Sequence, residues 1–99
     1  MLVDVNHQQL EGWTRDIMNT EPMVDRMRAF GWEAVECDGH DIKAIERAVA
    51  TPHAGKPLMV LCQTHPDQDM PIITPLLPKH FVTVNDAVRE AYTKFYESM

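Results

Sequence analysis

Ninety-nine residues suffice for one small domain with its own core and are too few for two. Apolar residues make up 44% of the chain and the net charge is −6, which excludes a disordered polyelectrolyte. It also excludes a phosphate-backbone binder, because the nine Lys and Arg residues are scattered rather than clustered. An anionic ligand would therefore be held by backbone amides, a helix N-terminus or a metal ion.

Leu2–Val5 reads as a short buried strand. Residues 6–19 are polar and interrupted by Gly12, so they are expected to form a loop. Thr20-Glu21-Pro22 offers a cap, an acidic first turn and an early proline for a helix, with Met23, Met27 and Phe30 on one apolar face and Gly31 as its stop. Residues 32–37 form a second expected strand, and Asp38-Gly39 turns the chain into a helix capped by His40 or Asp41, Gly39 permitting a positive φ. The stripe Ile42, Ile45, Val49 ends before Pro52. Residues 57–63, Pro-Leu-Met-Val-Leu-Cys-Gln, are almost continuously apolar, as in a parallel strand covered on both faces.

Strand, helix, strand, helix, strand with short links predicts an α/β domain with a mainly parallel sheet of at least three strands and flanking helices. Residues 1–99 are read as a single domain. Pro66, Pro71, Pro75 and Pro78 predict an extended segment over residues 65–83, since each proline removes a backbone donor and restricts its predecessor. Val88, Ala91, Tyr92 and Phe95 then mark a terminal helix over residues 84–98, capped by Asn85. Met1-Leu2-Val3 is broken by Asp4, Asn6 and His7 before a signal-peptide core could form, and no apolar run approaches the ~20 residues of a membrane span. The expectation is a cytoplasmic protein with Cys37 and Cys62 reduced.

Two groups of residues offer chemistry. Asn6 is expected beyond the carboxyl end of a strand, where ligands of open parallel sheets collect, and its amide oxygen suits Mg2+ or Ca2+. From spacing alone the same residue is better explained by a turn closed on its own backbone. Cys37-Asp38-Gly39-His40 and Cys62-Gln63-Thr64-His65 are two Cys-x-x-His pairs at strand ends. On neighbouring strands Cys37, His40, Cys62 and His65 would make a zinc ligand set, against the plainer reading of two buried cysteines. Trp13 and Trp32 read as packing residues, and Asp25, Arg26 and Arg28 as a solvated face.

The stretches Val3-Asp4-Val5-Asn6-His7-Gln8-Gln9-Leu10-Glu11-Gly12 and Gly31-Trp32-Glu33-Ala34-Val35-Glu36-Cys37-Asp38-Gly39-His40-Asp41, with the strand at residues 56–64, resemble the thiamine-diphosphate-binding domain of transketolases over about two-thirds of the chain. Residues 13–18 look more like the N-terminal subunits of two-chain transketolases than the single-chain enzymes. The resemblance implies that the side-chain oxygen of Asn6 and the backbone carbonyl of Gln8 would be ligands to Mg2+ or Ca2+. Leu10 would lie near the ring of thiamine diphosphate. The implied chemistry is a transferase moving a two-carbon ketol unit between sugar phosphates, with the thiazolium ring as electron sink.

Three departures accompany the likeness. The Gly-Asp-Gly motif, which carries the family's metal-binding aspartate, is expected N-terminal to Leu2 and is not among these residues, so residues 1–99 are expected to be a partial domain, the C-terminal part of such a cofactor domain. Nor is the pyrimidine-binding domain whose glutamate activates the cofactor, so no catalytic residue is assigned here and the isolated chain is expected to be inactive. A partner chain would supply that domain. Finally, His65-Pro66-Asp67-Gln68-Asp69-Met70-Pro71 replaces a Gly-rich stretch and leaves the substrate open. A different class of protein fits the same residues: an interaction module that keeps the fold without the site, self-associating through an exposed sheet edge beside Leu2–Val5.

Overall fold

The computed structural model describes residues 1–78 and 80–99. Three parallel strands, β1 (Leu2–Val5), a strand at Glu33–Asp38 and a strand at Leu58–Gln63, form the main sheet. Between the first two the chain adds a hairpin and two helices. The strands are therefore numbered β1, β2 (Gln8–Gln9), β3 (Gly12–Trp13), β4 (Glu33–Asp38) and β5 (Leu58–Gln63). The helices are α1 (Thr14–Ile17), α2 (Met23–Ala29), α3 (Ile42–Val49) and α4 (Asp86–Glu97), with a 3-10 helix at Pro71–Leu76.

The sheet order is β1-β5-β4, so the last strand in sequence lies in the middle. That position explains the apolar run: a central strand covered on both faces has no polar side to show. Met59 and Leu61 join Val5 and Ala34 in a core closed by Met23, Val24 and Met27 of α2 and by Trp32. Val60 and Cys62 face the other way, against Ala48 and Ile45 of α3. β1 is an edge strand, and Leu2 is 60% exposed beside its register partner Val60, as an uncovered sheet edge requires.

Several expectations need correction. Residues 6–19 are not a plain loop: β2 and β3 pair as a short antiparallel hairpin and run directly into α1. A two-residue strand pair lies below the length at which alternation can be read. α2 starts at Met23 without help from Thr20; instead the Glu21 carboxylate accepts from the Met23 N–H at 3.1 Å and Asn19 accepts from the Glu21 N–H. Phe30 is 79% exposed because α2 has ended by then, with Gly31 at φ 89° turning the chain away. In α3 the packed residues are Ile45 and Ala48, while Ile42 and Val49 are 75% and 50% exposed at the rim.

The helix entrance at Asp41 is as expected, its carboxylate accepting from the Lys43 N–H at 2.8 Å. Asp41→Ala is expected to cost about 1 kcal/mol in urea unfolding while Asp41→Asn costs much less, since the amide oxygen still caps. Equal losses in both variants would refer the effect to the Arg47 contact at 3.7 Å instead.

The proline-rich stretch is not extended as expected for residues 65–83. Turns at residues 65–70 lead into the 3-10 helix at Pro71–Leu76, where Ile73 N–H bonds Met70 O at 3.0 Å. Pro71 opens that helix, where the missing N–H costs nothing and the fixed φ is already helical. The part of this expectation that falls on Lys79 lies outside the described residues. α4 is capped as expected, Asn85 accepting from the Val88 N–H at 2.9 Å. It packs chiefly on the 3-10 helix, and Val88, Tyr92 and Phe95 are half-buried. Among the described residues no helix is long and apolar enough to cross a membrane.

Candidate functional site

The carboxyl ends of all three parallel strands meet at one end of the sheet. Thr64 N–H donates to Val5 O at 3.1 Å, and Gly39 N–H to Gln63 O at 2.8 Å. The Thr64 hydroxyl donates to the Asp4 carboxylate, tying the end of β5 to β1 through side chains as well. Gly39 is needed for proximity and not, as expected from its turn, for a positive φ. A Cβ there would lie 2.5 Å from Thr64 Cγ2 and 2.8 Å from Gln63 O.

Just beyond β1 the chain reverses. Asn6 Oδ1 accepts from the Gln8 N–H at 3.0 Å, and His7 between them takes φ 60°, an uncommon backbone for a side-chain-bearing residue. His7 O in turn accepts from Thr14 N–H at 2.8 Å, fastening the turn to the start of α1. The Asn6 amide thus does make the local turn bond, and its oxygen retains a second lone pair.

This reversal forms one wall of a cavity of about 530 Å³, bounded by Asp4, Asn6 and Gln8 on one side, Trp13, Thr14 and Arg15 on another, and Asn19, Glu21 and Met23 on the third. Asn6 and Gln8 are therefore brought together, as expected. Leu10 is not: it sits at the hairpin turn, 61% exposed, in a separate shallow groove with Glu11, Pro78, His80 and Phe81. The residues that sequence reasoning overlooked are Asp4, Arg15 and Glu21. Trp13 lines the cavity instead of serving only as packing.

The charged residues Asp4, Glu21 and Arg15 lie along the cavity with partners of their own: the Asp4 carboxylate accepts from the Thr64 hydroxyl, Glu21 from the Met23 N–H, and Arg15 pairs with Asp16 at 3.6 Å. The Asn6 side-chain oxygen is a hard donor of the kind Mg2+ and Ca2+ prefer. The side-chain nitrogens of Gln8 and Gln9 are both buried without a hydrogen-bond partner among the described residues. The donor chemistry accordingly fits a metal-borne diphosphate, although six or more oxygens are needed and these residues supply few of them.

The zinc set is not assembled. Cys37 and Cys62 are register partners with their sulfurs 3.9 Å apart, and the His40 and His65 rings stack at 6.3 Å. However, His40 Nε2 accepts from the His65 N–H at 2.9 Å and is thereby taken up by the backbone. Among the described residues no three His, Cys, Asp or Glu side chains converge at metal-binding spacing.

A parallel α/β sheet with a cavity beyond the carboxyl end of β1 places a candidate ligand site where open sheets of this class bind their ligands. The sequence profile described as "Transketolase, thiamine diphosphate binding domain" matches residues 1–77, and the chain belongs to that family. It is 43% identical over 63 residues, 62% of the chain, to the 6-deoxy-6-sulfo-D-fructose transketolase subunit SqwG of Clostridium sp. (strain MSTE9), of which it covers 23%. It is 39% identical over 62 residues, again 62% of the chain, to an apulose-4-phosphate transketolase subunit of Actinobacillus succinogenes, of which it covers 22%. To a transketolase family protein of Sinorhizobium fredii it is 33% identical over 86 residues, 84% of the chain and 31% of that protein. The chain thus spans less than a third of the curated relatives it matches. No solved structure matches it.

Proposed function

We propose that this chain contributes the Asn6 side of a thiamine-diphosphate and Mg2+ (or Ca2+) site in a transketolase-type assembly. Asn6 Oδ1 and the Gln8 carbonyl would be ligands to the metal. Thiamine diphosphate, when bound, supplies the electron sink for transfer of a two-carbon ketol unit between sugar phosphates. The task of this chain is to bind and orient. β1 presents Asn6 at the cavity, the His7 turn folds Gln8 back beside it, and the Thr64–Asp4 contact holds the strand ends in register.

The observation that carries the reading is the convergence of Asn6 and Gln8 on the cavity at the carboxyl end of β1. The relatives' names give subunits, which supports a partner chain carrying the pyrimidine-binding domain. Catalysis would belong to that complex and not to these residues alone. Leu10, in its separate groove, would reach a cofactor ring only after the hairpin turn moved.

An amide-resolved NMR titration with thiamine diphosphate and Mg2+ tests the proposal. Saturable shifts centred on residues 6–12 are expected at millimolar ligand and are expected to vanish in Asn6→Ala. An unresponsive spectrum, or shifts that persist in the variant, would overturn it. Micromolar affinity of these 99 residues by themselves would contradict the incomplete ligand set.

A further inference from the structure

Cys37 and Cys62 take no part in the cofactor reading and do not line the cavity, although Cys62 pairs with Asp4 across β1 and β5. They are directly paired across the parallel strands β4 and β5, on the α3 face of the sheet among Val60, Ala48 and Ile45. The Cys37 thiol donates to Cys62 Sγ at 3.9 Å, and the Cys62 thiol is directed to Val60 O at 4.0 Å. Adjacent strands run about 4.8 Å apart. That spacing falls inside the Cα separations of about 4.4–6.8 Å that a disulfide spans. The two sulfurs already face each other, so closing the bond asks for small side-chain rotations and no rearrangement of the sheet.

We propose that Cys37 and Cys62 form a reversible thiol-modification site, closing to an intrachain disulfide across β4 and β5 by exchange with a low-molecular-weight disulfide. The two sulfurs have unequal access. Cys37 is partly exposed, whereas Cys62 is 8% exposed, so Cys37 meets the reagent and Cys62 resolves it. In the first step the Cys37 thiolate attacks one sulfur of the small disulfide, forming a mixed disulfide and releasing one small thiolate. In the second, Cys62 loses its proton to solvent and attacks Cys37 Sγ, displacing the second small thiolate. Two thiols become one S–S bond, and two electrons and two protons pass to the small disulfide, which leaves as two thiols.

Burial and the neighbouring Cys62 thiol push the Cys37 thiol above its usual range, with Asp38 and Asp41 adding to the effect. The thiolate is therefore scarce at neutral pH, and the first step quickens as the medium becomes alkaline. The strand spacing lies at the short end of the disulfide range, which favours a bond that small thiols reopen.

Intact-mass measurement after incubation in mixtures of oxidised and reduced glutathione, with remaining thiols alkylated after acid quench, tests this. The folded chain is expected to become lighter by two hydrogens, to carry no alkyl group, and to revert in excess reduced glutathione. Cys62→Ser is expected to stop as a single glutathione adduct on Cys37, and Cys37→Ser to leave Cys62 unmodified. Two alkyl groups across the whole series, two glutathione adducts, or an intrachain bond that forms only in urea would overturn the proposal. The wild-type mass decides the question even if either variant fails to fold.

Discussion

Leu61→Ala is expected to lower the unfolding free energy by about 2–5 kcal/mol, the largest loss of any single truncation in this chain. Leu61 is fully buried at the middle of the central strand, with Met59 beside it and α2 above. Removing its isobutyl group takes away transfer energy and leaves a hole that neighbouring strands, held in register on both sides, cannot collapse to fill. Small domains have about 5–15 kcal/mol in total. The variant should therefore show a much reduced urea midpoint, with a visible unfolded population in its NMR spectrum. Phe30→Ala is the contrast: a larger side chain, but 79% exposed, and expected to change stability by no more than about 0.5 kcal/mol. Comparable losses in the two variants would mean that the core is not where the packing places it.

Gly39→Ala is expected to cost about 1–3 kcal/mol, although it adds a single methyl group in a turn. The added carbon would sit 2.5 Å from Thr64 Cγ2 and 2.8 Å from the Gln63 carbonyl oxygen, so β4 and β5 would have to part at their carboxyl ends. The Gly39 N–H to Gln63 O bond would stretch with them. A second substitution separates the two clashes. Thr64→Ser removes the methyl while keeping the hydroxyl for Asp4, so the double variant should recover part of the loss and leave the carbonyl clash. The check is a double-mutant cycle in urea; a Gly39→Ala variant as stable as the parent would show that the two strand ends are not this close.

The main sheet was legible because each of its strands carries a distinct signal. The uninterrupted run at residues 57–63 predicted a doubly covered strand, and β5 is central. Asp41, Asn85 and Gly31 marked helix ends that the structure keeps. The amphipathic faces were read less well, since spacing identifies apolar residues but not where a helix leaves its sheet. Phe30, Ile42 and Val49 lie past that point. The hairpin of residues 8–13 was invisible because two-residue strands have no period, and its consequence was that the cavity wall of Trp13, Thr14 and Arg15 went unread.

Asn6 and Gln8 were singled out through resemblance and strand-end logic, and both line the cavity at the end of β1. Asp4 was missed because an acidic residue within a short strand reads as an interruption. Its meaning depends on Thr64, sixty positions along the chain. Leu10 was assigned by likeness alone, and a position in an exposed turn follows its neighbours' backbone rather than its own side chain.

The order β1-β5-β4 also governs when this chain can fold. Leu2 pairs with Val60 and Glu33 with Leu58, so both outer strands wait for the same late segment before either has a hydrogen-bonded neighbour in the main sheet. During synthesis the first strands emerge with apolar faces and unpaired edges, and only the arrival of residues 58–63 converts them at once into a sheet. A ribosome-bound chain arrested before that segment has emerged should be a ready client for chaperones, and one arrested after it should already resist proteolysis.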